Sequence, residues 1–455
     1  MQGKITKVWS DVLEITFEKN NLPLLETLLV DENDSVLLVK KVVSQEAILA
    51  IIVKQKGDFS INGKIKALNH GFMVPVGESS KGLIFDILGQ PLNKTPTKKL
   101  KYVEMNSTNK PNVNYENKYK ILETGIKAID FFIPILDGSK IGIFGGAGVG
   151  KTVLMKEIIF NLSKQQNNTS AIFVGSGERS REAIELYDDL RDSNLMDSSI
   201  MFISKMNENP GARMSIVPVG ITAAEYLRDE QKENVLLFID NIFRFIQAGN
   251  ETSSSLDKKL SVGGYQSTLN TEISQIEQRI YSNQNGSITS FQTVFLPMDD
   301  LYDPSAVAVF NHLNASMFLS REITAKNIFP AFDPLASSST NVNPDIIGLE
   351  HYNAILEAKF VLQKYKELED VMIILGFDEL DEESQTIVKK ALQLQNFFSQ
   401  SFFMTEHFRN TPGVFVPLQK TVQSVIKILR GDYLHLSPEH FSYIGSTESL
   451  DKLKK

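Results

Sequence analysis

The residues best suited to chemistry lie in the segment KIGIFGGAGVGKTVLMKEIIF, which begins at Lys140. An apolar run is followed by the spacing G-x-x-x-x-G-K-T and then by a helical pattern. Glycines let backbone N–H groups turn inward around phosphate oxygens, and the start of a helix adds positive potential. A lysine and a threonine at the end of such a loop can reach the outer phosphates and magnesium. The segment therefore predicts a phosphate-binding loop made of Gly145, Gly146, Ala147, Gly148, Val149, Gly150, Lys151 and Thr152. A glycine-rich turn with an incidental lysine is the disfavoured alternative, since strand, loop and helix signals occur in the required order.

Two further apolar runs end in charged residues. In NVLLFIDN the apolar run ends in Asp240, and SAIFVGSGERSRE leads to Glu178 and Arg179. Because parallel strands place ligands at their carboxyl ends, we expect these side chains near the phosphates. There an aspartate can orient magnesium and its waters, a glutamate can polarise an attacking water, and an arginine can neutralise growing charge. Two plainer alternatives stay open: a cap or turn role for Asp240, and a solvated helix start formed by Glu178, Arg179, Arg181 and Glu182.

The elements that must position these residues follow three successive patterns. The first part alternates short β-branched runs with polar breaks, which is typical of a small antiparallel barrel or sandwich. Apolar runs then alternate with amphipathic helical stretches, which indicates a largely parallel sheet. After about Asn343 apolar residues recur three and four positions apart, as in helices. We predict a multidomain α/β protein with an N-terminal β-barrel at 1–76, a P-loop NTPase domain at 77–345 and a helical domain at 346–455.

Composition excludes several classes of function. The chain has 455 residues, with 47 basic and 55 acidic side chains and a net charge of −8, and no Lys/Arg block could follow a nucleic-acid backbone. It has no cysteine, which excludes disulfides, thiolate metal sites and cysteine nucleophiles. No apolar run approaches the roughly 18 to 20 residues that span a bilayer, and the first residues lack a signal-peptide layout. We expect any membrane association to occur through other subunits.

Nine segments follow one another along the chain: GGAGVGKT, GERSRE, MNENPGARM, FIDNIFRFIQAGNE, GGYQSTL, DDLYDP, FPAFDPL, DELDEES and FSQSFF. In order and approximate spacing they resemble the beta subunit of the F-type ATP synthase, over almost the full chain. The glutamate of GER distinguishes it from the non-catalytic alpha subunit, which carries glutamine there, and FIDNIFRF distinguishes it from flagellar export ATPases. The resemblance implies a RecA-like nucleotide-binding domain and a catalytic subunit that uses Mg²⁺ and ATP/ADP.

The resemblance also implies individual roles. Those for catalysis fall on Lys151, Glu178, Arg179 and Arg244. Those for magnesium fall on Thr152 directly, and on Glu182 and Asp240 through water. Those for adenine fall on Phe329, Phe402 and Phe408, although phenylalanines of this kind are ordinary core residues when considered without the family. The family usually has tyrosine at position 329, and phenylalanine keeps the stacking face without the hydroxyl.

Partners are implied in the same way. The acidic segment Asp378, Glu379, Leu380, Asp381, Glu382 and Glu383 resembles the loop that contacts a central, gamma-like stalk. An exposed capping segment with Asp378 near a helix start is the alternative. Thr340 stands where beta subunits have an arginine that aligns with the trans-acting arginine of alpha. We therefore expect an alpha-like partner in an alternating heterohexamer, located in the cytoplasm and peripheral to the inner face of the membrane.

Three alternatives stay open. The loop LDKKLSVGGYQ lacks the Gly, Arg and Pro usual in the family's stalk-facing loop. This favours a divergent paralogue, as known in wall-less bacteria such as mycoplasmas, whose ATP hydrolysis drives a machine that does not translocate protons. A non-catalytic nucleotide-binding assembly subunit would lose the carboxyl group at Glu178. A hexameric RNA translocase would need a basic channel and exposed aromatics on its barrel.

Overall fold

The computed structural model describes residues 1–105, 120–165, 169–261, 263–297, 300–406 and 410–451. The strands of this described part are β1 Gln2–Val8, β2 Val12–Thr16, β3 Leu28–Asp31, β4 Val36–Val42, β5 Ala47–Lys54, β6 Lys64–Ala67, β7 Met73–Val76, β8 Ile84–Phe85, β9 Lys101–Glu104, β10 Ile121–Leu122, β11 Ile135–Leu136, β12 Lys140–Gly145, β13 Thr169–Glu178, β14 Ser199–Lys205, β15 Asn234–Asp240, β16 Ile288–Phe295, β17 Ala315–Phe318 and β18 Ser338–Ser339. Its helices are α1 Lys127–Phe132, α2 Lys151–Gln165, α3 Ser180–Asp192, α4 Pro210–Asp229, α5 Ile242–Ser255, α6 Leu269–Glu277, α7 Pro304–Phe310, α8 Arg321–Ala325, α9 Pro344–Ile347, α10 Leu349–Leu375, α11 Glu382–Phe397 and α12 Leu418–Arg430.

The chain divides into two compact units. The first comprises Met1–Asn117, Asn168–Phe295 and Asp300–His312, and the second comprises Lys118–Asn167, Leu296–Asp299 and Leu313–Lys455. Glu178 and Asp240 belong to the first unit, whereas the phosphate loop belongs to the second. The three-domain division with boundaries after residues 76 and 345 stays a prediction.

The first unit begins with a closed antiparallel barrel in the order β1-β2-β5-β4-β3-β6. Side chains alternate along the strands, so that one set fills the barrel interior. Ile5, Leu13, Ile15 and Ile48 are among the fully buried residues of this core. The predicted N-terminal barrel is confirmed.

The same unit contains parallel strands in the order β16-β15-β13-β14-β8. Phe173, Phe238 and Phe291 lie side by side in register on three of these strands, with successive ring centroids 5.1 Å apart. Strands buried on both faces need such apolar side chains. Because β13 and β15 are parallel neighbours, their last residues, Glu178 and Asp240, emerge at one edge of the sheet.

The second unit joins a parallel strand pair to the C-terminal helices. β12 runs parallel to β17, and β18 pairs antiparallel with β17. Helix α10 packs against α11 and α12 and buries a stripe that includes Ile355, Leu362 and Tyr365. The predicted fold class is confirmed: an antiparallel barrel, an α/β part with parallel strands, and C-terminal helices. Within the described ranges no helix combines the length and apolar character needed to cross a membrane.

Candidate functional site

The phosphate loop connects β12 to α2, and its glycines fix its path. A Cβ at Gly145 would lie 2.9 Å from a Val149 methyl and 3.0 Å from the Leu319 carbonyl oxygen. Gly148 and Gly150 have φ angles of +80° and +93°, in the region that favours glycine. The spacing of glycines therefore follows from the backbone conformation that the loop adopts.

Lys151 lies in the first turn of α2 and points back over the loop. Its Nζ donates to the carbonyl oxygen of Gly145 at 2.7 Å and to that of Gly146 at 2.5 Å. Thr152, the next residue, is exposed. The ammonium group is thus held against the loop, and the threonine hydroxyl is accessible from solvent.

A cavity of about 210 Å³ lies beside this loop within the second unit. Val149, Gly150 and Val153 form one side, while Phe329 and Phe402 contribute aromatic walls. Phe402 is 6% exposed and Phe329 is half-buried, so both side chains pack against the core and also line the cavity. An apolar, aromatic cavity next to a phosphate loop suits the base of a nucleotide. Phe408, the third predicted adenine contact, lies outside the described residues.

In the first unit, Glu178 occupies the last position of β13 and is half-buried. Burial raises the pKa of its carboxyl group well above the ordinary glutamate range, and a hydrogen bond with Glu182 and the charge of Asp240 act in the same direction. Nearby like charges and desolvation both disfavour the ionised form. The structure therefore brings these three predicted carboxyl groups together.

Asp240 ends β15, and its Oδ1 accepts a hydrogen bond from the Thr293 hydroxyl. The residue that caps the following helix α5 is Asn241, whose Oδ1 accepts from the Phe243 N–H at 2.9 Å. The alternative of Asp240 as the helix cap is therefore wrong. Its carboxyl group remains directed to the edge where Glu178 lies.

The charges around the start of α3 are largely solvated. The Arg179 side chain is 70% exposed and lies 4.0 Å from Glu182, and Arg181 pairs with Glu185 at 3.0 Å on the outside of the helix. The plain alternative of a solvated helix start thus describes Arg179, Arg181 and Glu182. It does not describe Glu178, which belongs to the strand and is half-buried.

Arg244 lies beside the end of β13 because Gly177 leaves room for it. Gly177 has a φ of +64°, and a Cβ there would lie 3.3 Å from Arg244 Cβ and 3.4 Å from Arg213 Cδ. Arg213 was not predicted as a site residue. It is 9% exposed, and its guanidinium forms an ion pair with Glu251 of α5. The sequence feature that could have indicated it is an arginine inside the apolar stretch of α4. The glycine therefore gathers two arginines at the Glu178 strand end.

Among the described residues, no three His, Cys, Asp or Glu side chains converge closely enough to hold a metal ion by themselves. The predicted magnesium role needs less than that, because only Thr152 was expected to bind directly. The repelling carboxyl groups of Glu178, Glu182 and Asp240 fit a hydrated cation, since positive charge would relieve their repulsion.

The acidic segment 378–383 is exposed apart from half-buried Leu380. Asp378 lies in a short 3-10 turn, and Asp381 caps α11 by accepting from the Ser384 N–H at 3.5 Å. The alternative of an exposed capping segment with Asp378 near a helix start therefore describes these residues, and the cap itself is Asp381. Thr340 is also exposed, and its N–H donates to the Asn314 carbonyl oxygen at 2.8 Å.

Comparison with known proteins adds two findings. Residues 125–339 match the family model described as ATP synthase alpha/beta family, nucleotide-binding domain. The chain is also 47% identical, over 99% of its own length and 97% of the relative's, to ATP synthase subunit beta 2 of Mycoplasmopsis pulmonis (strain UAB CTIP). The matched range includes the phosphate loop, Glu178, Asp240 and Phe329.

Proposed function

The chain belongs to the ATP synthase alpha/beta family as a nucleotide-binding subunit of the beta type, and from that premise we propose that it is the catalytic subunit of a rotary F-type or F-type-like ATPase. It binds Mg-ATP and hydrolyses or synthesises ATP at interfaces with an alpha-like subunit. Its turnover is coupled to rotation of a central, gamma-like stalk.

The observation that carries this proposal is the environment of Glu178. A group that polarises water is most effective in a partly desolvated site where its pKa is raised towards the working pH. Glu178 is half-buried, and its pKa is raised by burial and by neighbouring carboxyl groups. A purely structural nucleotide site has no need of such a carboxyl group, which weighs against the non-catalytic assembly subunit.

The phosphates of ATP are assigned to the loop 145–150 and to Lys151, which together present N–H groups and an ammonium. Glu178 orients and polarises the attacking water. Arg179 and Arg244 neutralise the charge that grows on the transferred phosphoryl group. The range matched by the family model, residues 125–339, includes every one of these residues.

Magnesium is assigned to Thr152 as the direct ligand, with Glu182 and Asp240 holding its water molecules. When bound, Mg²⁺ supplies positive charge to the outer phosphate oxygens. Thr152 supports this role because its hydroxyl is accessible at the start of α2. The carboxyl groups contribute by orienting water rather than by direct ligation.

Adenine is assigned to the cavity walled by Phe329 and Phe402, with Phe408 as a third contact. The described walls are mostly apolar, so stacking provides most of the base affinity. Phenylalanine at position 329 is sufficient for this purpose because a stacking contact does not require a hydroxyl.

An alpha-like partner is proposed because Thr340 cannot supply the positive charge that a trans-acting arginine provides. A homohexamer of this chain would lack that group at each site. The proposed assembly is therefore an alternating heterohexamer, cytoplasmic and peripheral to the inner face of the cell membrane through other subunits.

The load on the rotor is proposed to differ from that of a standard synthase. The similar protein carries the name beta 2, which supports a paralogue alongside an ordinary beta subunit. The exposed acidic segment 378–383 is assigned to the stalk contact, whereas the loop LDKKLSVGGYQ differs in sequence from the family's usual stalk-facing loop. ATP hydrolysis at this site could drive either ion translocation or another form of mechanical work, and the altered loop favours the latter.

A complex purified through a tag on this chain tests the proposal. We expect Mg²⁺-dependent ATP hydrolysis, with alpha-like and gamma-like chains identified by mass spectrometry. Lys151→Ala should retain the same subunits and lose at least about a hundredfold in rate.

Each other outcome identifies an alternative. Assembly without hydrolysis in the wild type would indicate the non-catalytic assembly subunit. An active hexamer of this chain alone would contradict the requirement for a partner's arginine. Stimulation of hydrolysis by RNA would favour a translocase.

A further inference from the structure

Gln400 is a buried glutamine between the end of α11 and the aromatic wall Phe402. It is 2% exposed and contributes to the lining of the same cavity as Phe329 and Phe402. Its backbone N–H donates to the Phe329 carbonyl oxygen at 2.7 Å. One residue is therefore bonded directly to one aromatic wall and lies two positions before the other.

Both ends of the Gln400 amide are used. Its Oε1 accepts from the Lys127 N–H at 2.9 Å, while its Nε2 donates to the carbonyl oxygens of Gly125 at 2.7 Å and Val414 at 2.6 Å. Buried amide groups that are fully bonded fix the positions of the segments they join. The side chain thus anchors the cavity wall to the 125–127 segment.

That segment is itself held rigidly. Asp130 accepts from the N–H groups of Thr124 and Gly125, each at 2.8 Å. Gly125 has a φ of +69°, and the Phe415 ring occupies the space where a Cβ would project, with its nearest carbon 2.0 Å from that position. The anchor is therefore a closely packed, hydrogen-bonded turn with little room to move.

The aromatic wall is also bonded at its far side. The Met404 N–H donates to Glu157 Oε2 at 3.0 Å, and Glu157 is fully buried on α2, the helix that begins at the phosphate loop. The Phe160 and Phe403 rings are in contact, with centroids 5.2 Å apart. Phe402 thus lies between Gln400, bonded to the 125–127 segment, and residues 403–404, which contact α2.

We propose that Gln400 is a positioning residue that sets the separation of the Phe329 and Phe402 walls and so determines how well a nucleotide base is gripped. This rests on the proposed function, because it assigns the cavity to the base of ATP. Gln400 acts through the walls and not on the phosphates. Its loss should weaken binding of ATP while leaving binding of a ligand without a base unchanged.

The chain offers a matched control in Gln393. This glutamine is fully buried, and its Nε2 also donates to two carbonyl oxygens, those of Tyr433 at 2.8 Å and Leu436 at 3.1 Å. None of its partners lines the cavity. Gln393→Met therefore removes a similar pair of buried hydrogen bonds away from the proposed base site.

The test compares two affinities of the full-length chain by isothermal titration calorimetry, for Mg-ATP and for Mg-tripolyphosphate. The ratio of the two dissociation constants isolates the contribution of the nucleoside, because partial unfolding reduces both affinities together. We expect Gln400→Met to reduce the preference for ATP about tenfold, which corresponds to about 1.4 kcal/mol. Gln393→Met should keep the wild-type ratio, although it destabilises the fold.

If Gln400→Met does not yield folded protein, Gln400→Glu provides the same test. A protonated carboxyl group can donate at most one of the two hydrogen bonds that Nε2 makes, so the preference for ATP over tripolyphosphate should fall by several-fold. An unchanged ratio in a folded Gln400 variant, or an equal loss in Gln393→Met, would overturn the positioning role. A wild-type chain that binds neither ligand would instead refute the proposed function.

Discussion

Replacing Glu178 with glutamine separates the chemical role of its carboxyl group from its effect on the fold. The amide keeps the size and much of the hydrogen bonding of the side chain, but it cannot polarise water as a base. Loss of an essential catalytic carboxyl group typically lowers a rate by about 10² to 10⁴. We expect hydrolysis by the assembled complex to fall at least about a hundredfold, or about 2.7 kcal/mol in activation free energy.

The same substitution should stabilise the fold as the pH rises. Burial, Glu182 and Asp240 raise the pKa of Glu178 above its unfolded value, so the folded chain binds this proton more tightly than the unfolded chain does. The wild type therefore loses stability as the pH rises from the ordinary glutamate range towards the raised pKa. Glutamine has no proton to lose, so the advantage of Glu178→Gln in free energy of unfolding should grow with pH.

Two measurements check the expected loss of hydrolysis and the expected dependence of stability on pH. ATP hydrolysis is followed in the purified complex, and denaturant unfolding of the full-length chain is measured from pH 5 to pH 8 without magnesium. Glu185→Gln is the matched control, since Glu185 is on the solvent side of α3 in an ion pair with Arg181. It should leave both quantities close to wild type.

Two results would contradict these expectations. Normal hydrolysis by Glu178→Gln would remove Glu178 from the catalytic step. A stability difference that does not change with pH would show that burial and the neighbouring carboxyl groups do not raise the pKa of Glu178.

Two further predictions concern the backbone and a buried lysine. Gly177→Ala should lower stability by about 1–2 kcal/mol because of its positive φ, and it should also reduce hydrolysis by displacing Arg244. Gly348→Ala, at a φ of +82° with open space around it, should reduce stability alone. Thermal melts measure the first effect, and equal rates of hydrolysis by the two variants would contradict the packing argument. Burial lowers the pKa of Lys127 to about 7, so above that pH the unfolded chain holds this proton and the folded chain releases it. The stability of the wild type should therefore gain up to about 1.4 kcal/mol per pH unit relative to Lys127→Met as the pH rises from 7 to 9. Parallel unfolding curves at the two pH values, with no change in the difference between wild type and variant, would show that Lys127 keeps its charge in the folded chain.

Features set by local sequence were predictable. The glycines at 145, 148 and 150 require a particular backbone path whatever the rest of the chain does, and Lys151 follows at the start of α2. The long helix α10 has a buried apolar stripe from Ala354 to Tyr365, whose residues recur three and four positions apart. The barrel strands likewise follow from alternating apolar residues, because the repeat of a strand is visible within a few positions.

The roles of neighbouring polar residues at helix starts were less predictable. Asp378 and Asp381 are both aspartates near a helix start, and only the backbone decides that Asp381 accepts from the Ser384 N–H. In the same way Asn241, and not Asp240, caps α5. A shift of one to three residues changes a carboxyl group from a cap to a candidate ligand, and local sequence preferences do not resolve such a shift.

Long-range contacts give different roles to two residues of the same type in the same part of the chain. Gln393 and Gln400 lie seven positions apart, both buried and both bonded to carbonyl oxygens. Gln400 accepts from Lys127, 273 positions earlier in the chain, whereas Gln393 donates to Tyr433 and Leu436, which follow the end of α12. The segment FSQSFF includes Gln400 and not Gln393, but it does not show which distant residues each glutamine contacts. We therefore expect the proposed base site to depend on the anchors behind its aromatic walls as well as on the aromatic residues, and these anchors are contacts that only the folded chain shows.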